Sequence, residues 1–416
     1  MNVGENLKTD SSFKDTKAWL FIGALAGGHS LFHWVVQGFV VVLPEVQSHF
    51  ALTRIEIGLV LTVRELSTGL VAFPGGMVAD SLRRHWEAFL AACIGGFGIG
   101  SLLMGSSPMF GILLAGVSII AILHSLWHLS AASSLSQSFP NNRGSVLSFH
   151  GIGGSVGDGI GPFATGILLS FVTWREILTF YGATAIIFSI LFLLAVPRIW
   201  HIKEQDSEGI RLIKRLEWLM ETLRHPVIWG ISVVKGLRSM ALVALLTIFP
   251  LYFHDELLMG TSMRGLYIGL LILIGVVCKP LAGYLSDRFG RKKVLVPGLI
   301  WSCGISLTLM FFSQGIMLAV LVVLLGMFLY PDQPIITATT LDLVESEVSS
   351  TVMGITATVA LAMSTVSPLL AGVIYQSSGI DSVMIYVASL FAAASIIFLI
   401  LPLNNPVKEN LPENYR

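Results

Sequence analysis

Charge is what this sequence has least of. Asp, Glu, Lys and Arg make up 12% of its 416 residues, about half the density of a soluble domain. So few charges cannot clothe a water-soluble fold of this length, which excludes a cytosolic enzyme and a disordered scaffold. The 25 basic residues are matched by 25 acidic ones, so no net positive field attracts a nucleic acid. Cysteine is scarce as well. Cys93, Cys278 and Cys303 all fall inside apolar runs and read as small core residues, not as a disulfide or zinc framework. No phosphate-cradling G-x-x-x-x-G-K-S/T loop and no hydrolytic constellation occurs, so neither an enzymatic activity nor a cofactor is expected.

Apolar length is what the chain has instead. Hydrophobic residues make up 54% of it, with a mean hydropathy of +0.80. Apolar segments recur at near-regular spacing over 18–43, 55–79, 87–106, 109–137, 145–171, 176–197, 226–253, 263–285, 293–313, 315–341, 350–376 and 381–403. The runs are continuous and lack period-2 alternation, so they predict helices and not barrel strands. A membrane-crossing helix needs about 20 residues, and twelve of them fit this length with short loops. The polar start, to about Lys17, lacks the basic and apolar regions of a cleaved signal peptide.

Residues 198–225 form a charged linker that separates two sets of six spans. Within it, 210–224 reads as an amphipathic helix, either at the membrane interface or as a plain linker helix. The expected organisation is an N-terminal tail over 1–17, a six-helix bundle over 18–197, the linker over 198–225, a second bundle over 226–403 and a C-terminal tail over 404–416. Lys and Arg set the orientation. With the N-terminus inside, 18 of them lie on the inner side and three, Arg54, Arg175 and Arg264, on the outer. Both tails and the linker are thus expected in the cytoplasm.

The two halves repeat. Asp80 and Asp287 are 207 residues apart, and Pro162 and Pro368 are 206 apart, as are Gly166 and Gly372. Internal repeats of this kind mark secondary transporters, whose substrate site lies where the repeats meet. The run Gly283-Tyr284-Leu285-Ser286-Asp287-Arg288-Phe289-Gly290-Arg291-Lys292-Lys293 matches a loop signature, G-x-L-x-D-R-x-G-R-K/R-K/R, at every specified position. The first-half copy keeps Gly76, Asp80 and Arg84. Gly157, Gly161 and Pro162 supply a second signature, G-x-x-x-G-P. On these motifs the sequence resembles the major facilitator superfamily. The resemblance implies an all-α membrane protein of twelve transmembrane helices in two pseudo-symmetric six-helix bundles. It also implies alternating access, and gating by Gly76, Asp80, Arg84, Gly283, Asp287, Arg288, Gly290 and Arg291. Asp287 and its arginines are expected to hold contacts to the neighbouring half. His29, Gln37 and Pro44, with His128, Gly153-Gly154, Gly157 and Gly161-Pro162, make the first half resemble the fosmidomycin-resistance-type efflux branch. Export, a bacterial inner membrane and a monomer surrounded by lipid follow as expectations. Leu129 and His33 depart from that branch's usual proline and acidic residue.

Polar groups inside apolar spans are costly and mark function. His-Ser-Leu-aromatic-His occurs twice, at His29–His33 and at His124–His128, and a spacing of four puts each pair on one helix face. His150 lies one turn into the fifth span. Arg64, Lys235 and Arg238 are basic residues within spans; Glu65, Asp158 and Asp332 are acidic ones. Neighbouring side chains leave a helix ~100° apart, so Arg64 and Glu65 are expected to have separate partners. The substrate site expected from these residues comprises His29, His33, Arg64, His124, His128, Lys235 and Arg238. The groups expected to couple protons are Glu65, Asp158, Asp332 and His150. The reading is a proton-coupled transporter of a small organic solute, anionic because the mid-span bases exceed the carboxylates once Lys279 is counted with them. Two alternatives stand beside it: a carrier of a transition metal or metal chelate using the histidines, and a receptor or assembly subunit with a transporter fold.

Overall fold

A computed structural model describes residues 16–81, 85–139, 142–199, 224–312, 314–344 and 349–403. Among these residues there are fourteen helices and no strand. The first half holds α1 (Thr16–Val41), α2 (Leu43–Phe50), α3 (Arg54–Ser81), α4 (Trp86–Gly105), α5 (Phe110–Ser138), α6 (Arg143–Leu168) and α7 (Trp174–Ile199). The second holds α8 (Pro226–Asp255), α9 (Thr261–Phe289), α10 (Arg291–Thr308), α11 (Gly315–Leu329), α12 (Asp332–Leu343), α13 (Ser349–Thr365) and α14 (Ser367–Ile400). The amphipathic stretch expected in the linker lies outside the described residues, save Arg224.

Local chemistry explains how fourteen helices make twelve spans. Pro44 sits in the first turn of α2, where a missing N–H costs nothing, so α1 and α2 form one bent span. Tyr330 and Pro331 interrupt the tenth span between α11 and α12, as the Tyr330-Pro331-Asp332-Gln333-Pro334 run predicts. Gly379 divides α14 with φ of 75°, a conformation glycine adopts without steric penalty. It falls in the gap predicted between the last two apolar runs, and the part of α14 before it continues α13, from which Val366 alone separates it. The start of α3 is closed by a reciprocal cap: the Thr53 N–H donates to Glu56 Oε2 at 2.7 Å, and the Glu56 N–H donates to Thr53 Oγ1 at 3.2 Å.

Among the described residues, eight helices or joined helix pairs are long and apolar enough to cross a membrane. Neither α3 nor α6 is among them; α3 carries Arg54, Glu56, Arg64, Glu65 and Asp80, and α6 is rich in glycine. Phe180, Ile187, Leu191 and Leu194 are exposed along one face of α7, as expected of a helix solvated by lipid.

The helices cluster into two compact units. The first takes its described residues from Met1–Gln37, Pro74–Gly161 and Arg175–Ser207, and the second from Gly38–Phe73, Pro162–Trp174 and Glu208–Arg416. In the first unit, α4 packs against α5, and Phe32, Phe97 and Trp127 form a buried aromatic core around them. In the second, α8 packs against α13 and α14.

Candidate functional site

Three imidazoles meet inside the first unit. His29 and His33 lie one turn apart on α1, and His128 reaches them from α5. The Nε2 atoms of His29 and His33 are 3.1 Å apart, those of His33 and His128 3.1 Å, and those of His128 and His29 2.8 Å. Each Nδ1 faces an oxygen: His29 the carbonyl of His150 at 2.7 Å, His33 the carboxylate of Asp158 at 2.7 Å, and His128 the carbonyl of His124 at 3.0 Å. The Gln37 side-chain amide donates to the same oxygen of Asp158 at 3.0 Å. His29, His150 and Asp158 are buried, and His33 is half-buried.

This convergence depends on the glycines of α6. A Cβ at Gly154 would sit 2.6 Å from His29 Nε2. A Cβ at Gly153 would strike the Ala26 carbonyl, and one at Gly157 the Ser30 carbonyl. Small residues bring α1 and α6 close enough for Asp158 to reach His33. Gly157→Ala is expected to separate them, because the obstructing atom is backbone and cannot rotate away. The cost should be about 1–3 kcal/mol, as for other overpacked sites, read as a lower thermal midpoint in detergent. An unchanged midpoint would show that the helices have room to spare.

Of the residues expected to form the substrate site, His29, His33 and His128 come together. His124 meets His128 edge to face, with ring centroids 4.2 Å apart, and supplies its carbonyl oxygen. Phe32 and Trp127 are fully buried packing groups. Arg64, Lys235 and Arg238 belong to the second unit. There Arg64 does bond its neighbour Glu65, with Nε and Nη2 at 3.2 and 2.8 Å from Oε1. The expectation of separate partners is corrected: the long guanidinium stem folds back across the helix surface. Arg238 donates from Nε to Asp332 at 2.6 Å and from Nη2 to the Leu329 carbonyl at 2.7 Å. Both side chains of this pair are almost fully buried. The helix break removes the usual partner of that carbonyl, and Arg238 replaces it.

The loop signature at Gly283–Lys293 is also placed. Gly290 carries the turn between α9 and α10 with φ of 97°. Arg291 bonds Asp287, Ser286 at 2.6 Å and Asp342 at 2.9 Å; Arg288 donates to the Tyr284 hydroxyl at 3.2 Å. Burial works to depress the Arg291 guanidinium, but its bonds to Asp342 and Asp287 prevail and raise its pKa above the ordinary value. The partners named here all lie in the second half. Gly76 and Asp80 fall where side chains lie outside the described residues, as does all of Arg84.

Sequence reasoning missed a set of contacts between first-half and second-half helices within the second unit. Arg54 reaches Asp255 at 3.4 Å and the Tyr375 carbonyl at 3.5 Å, and its guanidinium lies 4.0 Å over the Tyr375 ring. Buried Arg264 pairs with Glu45. Between these pairs the backbones nearly touch. A Cβ at Gly58 would lie 2.5 Å from the Pro368 carbonyl, and one at Gly265 would lie 2.5 Å from the Pro162 carbonyl. Gly58 and Gly265 are 207 residues apart, the offset already seen for Asp80 and Asp287. That offset is the signal that would have found them, together with Arg54 and Arg264 as two of the few bases expected on the outer side.

A family model described as Major Facilitator Superfamily matches residues 25–279 and 262–414. The chain belongs to the Major Facilitator Superfamily. Relatives in this superfamily include the fosmidomycin resistance protein of Escherichia coli K12, 20% identical, covering 68% of this chain and 69% of that protein. The glycerol-3-phosphate transporter of Bacillus subtilis 168 is 21% identical, covering 85% and 84%. The membrane sensor protein UhpC of E. coli K12 is 23% identical, covering 74% and 75%. A crystal structure of a bacterial homolog of the human lysosomal transporter Spinster, in an inward-facing and unoccupied conformation, aligns with a TM-score of 0.80 at 15% identity. It covers 96% of this chain and 99% of that one. As a superfamily member the protein is an integral membrane protein and a secondary transporter working by alternating access on a small molecule.

Proposed function

We propose that this transporter is a proton-coupled exporter of a small organic anion and that the His33–Asp158 pair carries the proton. The observation that carries the reading is the choice of partners. Glu65 and Asp332 are each bonded to an arginine, which keeps its charge throughout the physiological range. Asp158 instead faces His33 at 2.7 Å, and an imidazole can take up and release a proton where a guanidinium cannot. Asp158 is therefore the carboxylate whose partner can itself gain or lose a proton.

The solute's sign rests on Arg64, Lys235 and Arg238. A carboxylate or phosphate would compete with Glu65 for Arg64, because both are planar or multidentate acceptors for one guanidinium fork. The relative named for glycerol-3-phosphate supports an anion, and the one named for fosmidomycin resistance supports export. The six-helix bundles over 18–197 and 226–403 would be the moving bodies, with both tails in the cytoplasm. Under that orientation the Arg54, Arg264, Gly58 and Gly265 contacts close the outer side, and the Asp287–Arg291–Asp342 cluster works at the inner gate.

Proteoliposomes filled with pyranine test the coupling. Fosmidomycin and glycerol 3-phosphate, added singly, serve as probes. Proton movement that accompanies one of them is the expected result. Absence of both solute flux and proton flux across a broad panel of anions would favour the receptor alternative, which the sensor relative represents.

The outer contacts carry their own prediction. Gly58→Val should wedge α3 from α14, since the obstructing Pro368 carbonyl is backbone. A cysteine at Ser170, whose hydroxyl bonds Thr261 and Ser262 at 2.9 and 2.8 Å, should then react with an impermeant maleimide several-fold faster. Equal labelling rates would mean that these contacts do not close the outer side.

A further inference from the structure

The hydrogen bonds of the histidine cluster fix its tautomers. A carbonyl and a carboxylate are acceptors only, so each facing Nδ1 must bear the proton. His29, His33 and His128 all meet this condition. In their neutral forms all three Nε2 atoms are therefore lone pairs, and these lone pairs point at one another across 2.8–3.1 Å. Three converging lone pairs repel unless a cation lies among them. A metal-bound histidine normally donates its other ring N–H to a carboxylate or a backbone carbonyl, and each of these three does so. The three nitrogens belong to one group able to hold an ion. A tetrahedral site with bonds of ~2.0–2.1 Å has edges of roughly 3.3 Å, so the rings need to open by a few tenths of an ångström. Imidazole nitrogen suits zinc, copper, iron and nickel rather than magnesium or calcium.

We propose that His29, His33 and His128 form a binding site for a single divalent first-row transition-metal ion of the zinc class, with Asp158 and the backbone carbonyls of His124 and His150 orienting the ligands. The fourth position is left to water or to a donor atom of the solute. The ion would fill the space among the three Nε2 atoms and hold His33 against Asp158. The site stands on the geometry alone; the expected effect on transport rests on the proton reading of the same cluster.

The test uses full-length protein with its affinity tag removed, in nanodiscs, titrated with Zn2+ alone by calorimetry and with Co2+ alone by visible absorption. One ion per chain is expected, with the absorption of a four-coordinate Co2+ centre. His29→Gln and His128→Gln should each weaken binding at least 100-fold, Asp158→Asn about 10- to 100-fold, and the control His49→Gln not at all. No binding by the wild-type protein, binding indifferent to His29→Gln and His128→Gln, or a six-coordinate Co2+ spectrum would each overturn the proposal. Folding of the variants is checked by their thermal midpoints, and the wild-type Co2+ spectrum decides the matter if a variant is lost. Zn2+ should also slow proton-coupled flux reversibly, with recovery on adding EDTA. If flux in EDTA is proton-coupled but no metal binds, the metal site fails and the proton reading survives. If metal binds but flux in EDTA is indifferent to the pH gradient, the proton reading fails and the metal site survives.

Discussion

Asp158→Asn should abolish acceleration of transport by a proton gradient while leaving solute exchange at equal pH in place. The amide keeps the size of the carboxylate and can still accept from His33, but it cannot stabilise an imidazolium. A charge-assisted hydrogen bond contributes about 1.5–3 kcal/mol, so proton-driven flux should fall roughly 10- to 100-fold. Glu65→Gln and Asp332→Asn serve as comparisons, because their partners are arginines. Proteoliposome flux with and without an imposed gradient measures all three. If Asp158→Asn responds to the gradient as the wild type does, the proton travels elsewhere, and the role assigned to the His33–Asp158 pair is lost.

The pairing of the histidines could be read from the sequence and the partners of the arginines could not, for a physical reason. A helix repeat fixes which side chains share a face, so His29 and His33 were legible as a pair, as were His124 and His128. The Nε2 convergence was not legible, because it depends on which helix packs against which, and that is decided by Gly153, Gly154 and Gly157 meeting α1. Long side chains escape face arithmetic altogether. Arg64 bends back to its neighbour, and Arg238 finds both an acid and a carbonyl exposed by a helix break. The twelve spans were legible from hydropathy, and Pro44, Pro331 and Gly379 fall where the backbone departs from regular helix. The close approach of α3 to α14 and of α6 to α9 was written in the repeat offset of Gly58 and Gly265, but only a contact between backbones gives that offset meaning.

Arg238 is the residue on which the substrate reading and a structural reading diverge most. Its side chain is 4% exposed and that of Asp332 is 1% exposed, so removing one partner leaves a buried charge uncompensated. Such losses cost about 3–5 kcal/mol, and Arg238→Met is expected to lower the thermal midpoint sharply. Replacing both partners is a different experiment. Arg238→Met with Asp332→Leu removes both charges and leaves the Leu329 carbonyl without its guanidinium donor, a cost of about 1–3 kcal/mol. The double variant should therefore be more stable than Arg238→Met alone, since ion pairs replaced by apolar groups are often neutral in stability. Thermal midpoints in detergent measure the cycle, and solute flux on the same preparations separates the roles. If the double variant regains stability and transports, Arg238 is a strut that closes the break between α11 and α12. Restored stability without solute binding would instead show that the guanidinium also meets the solute, by exchanging Asp332 for an anionic group during the cycle.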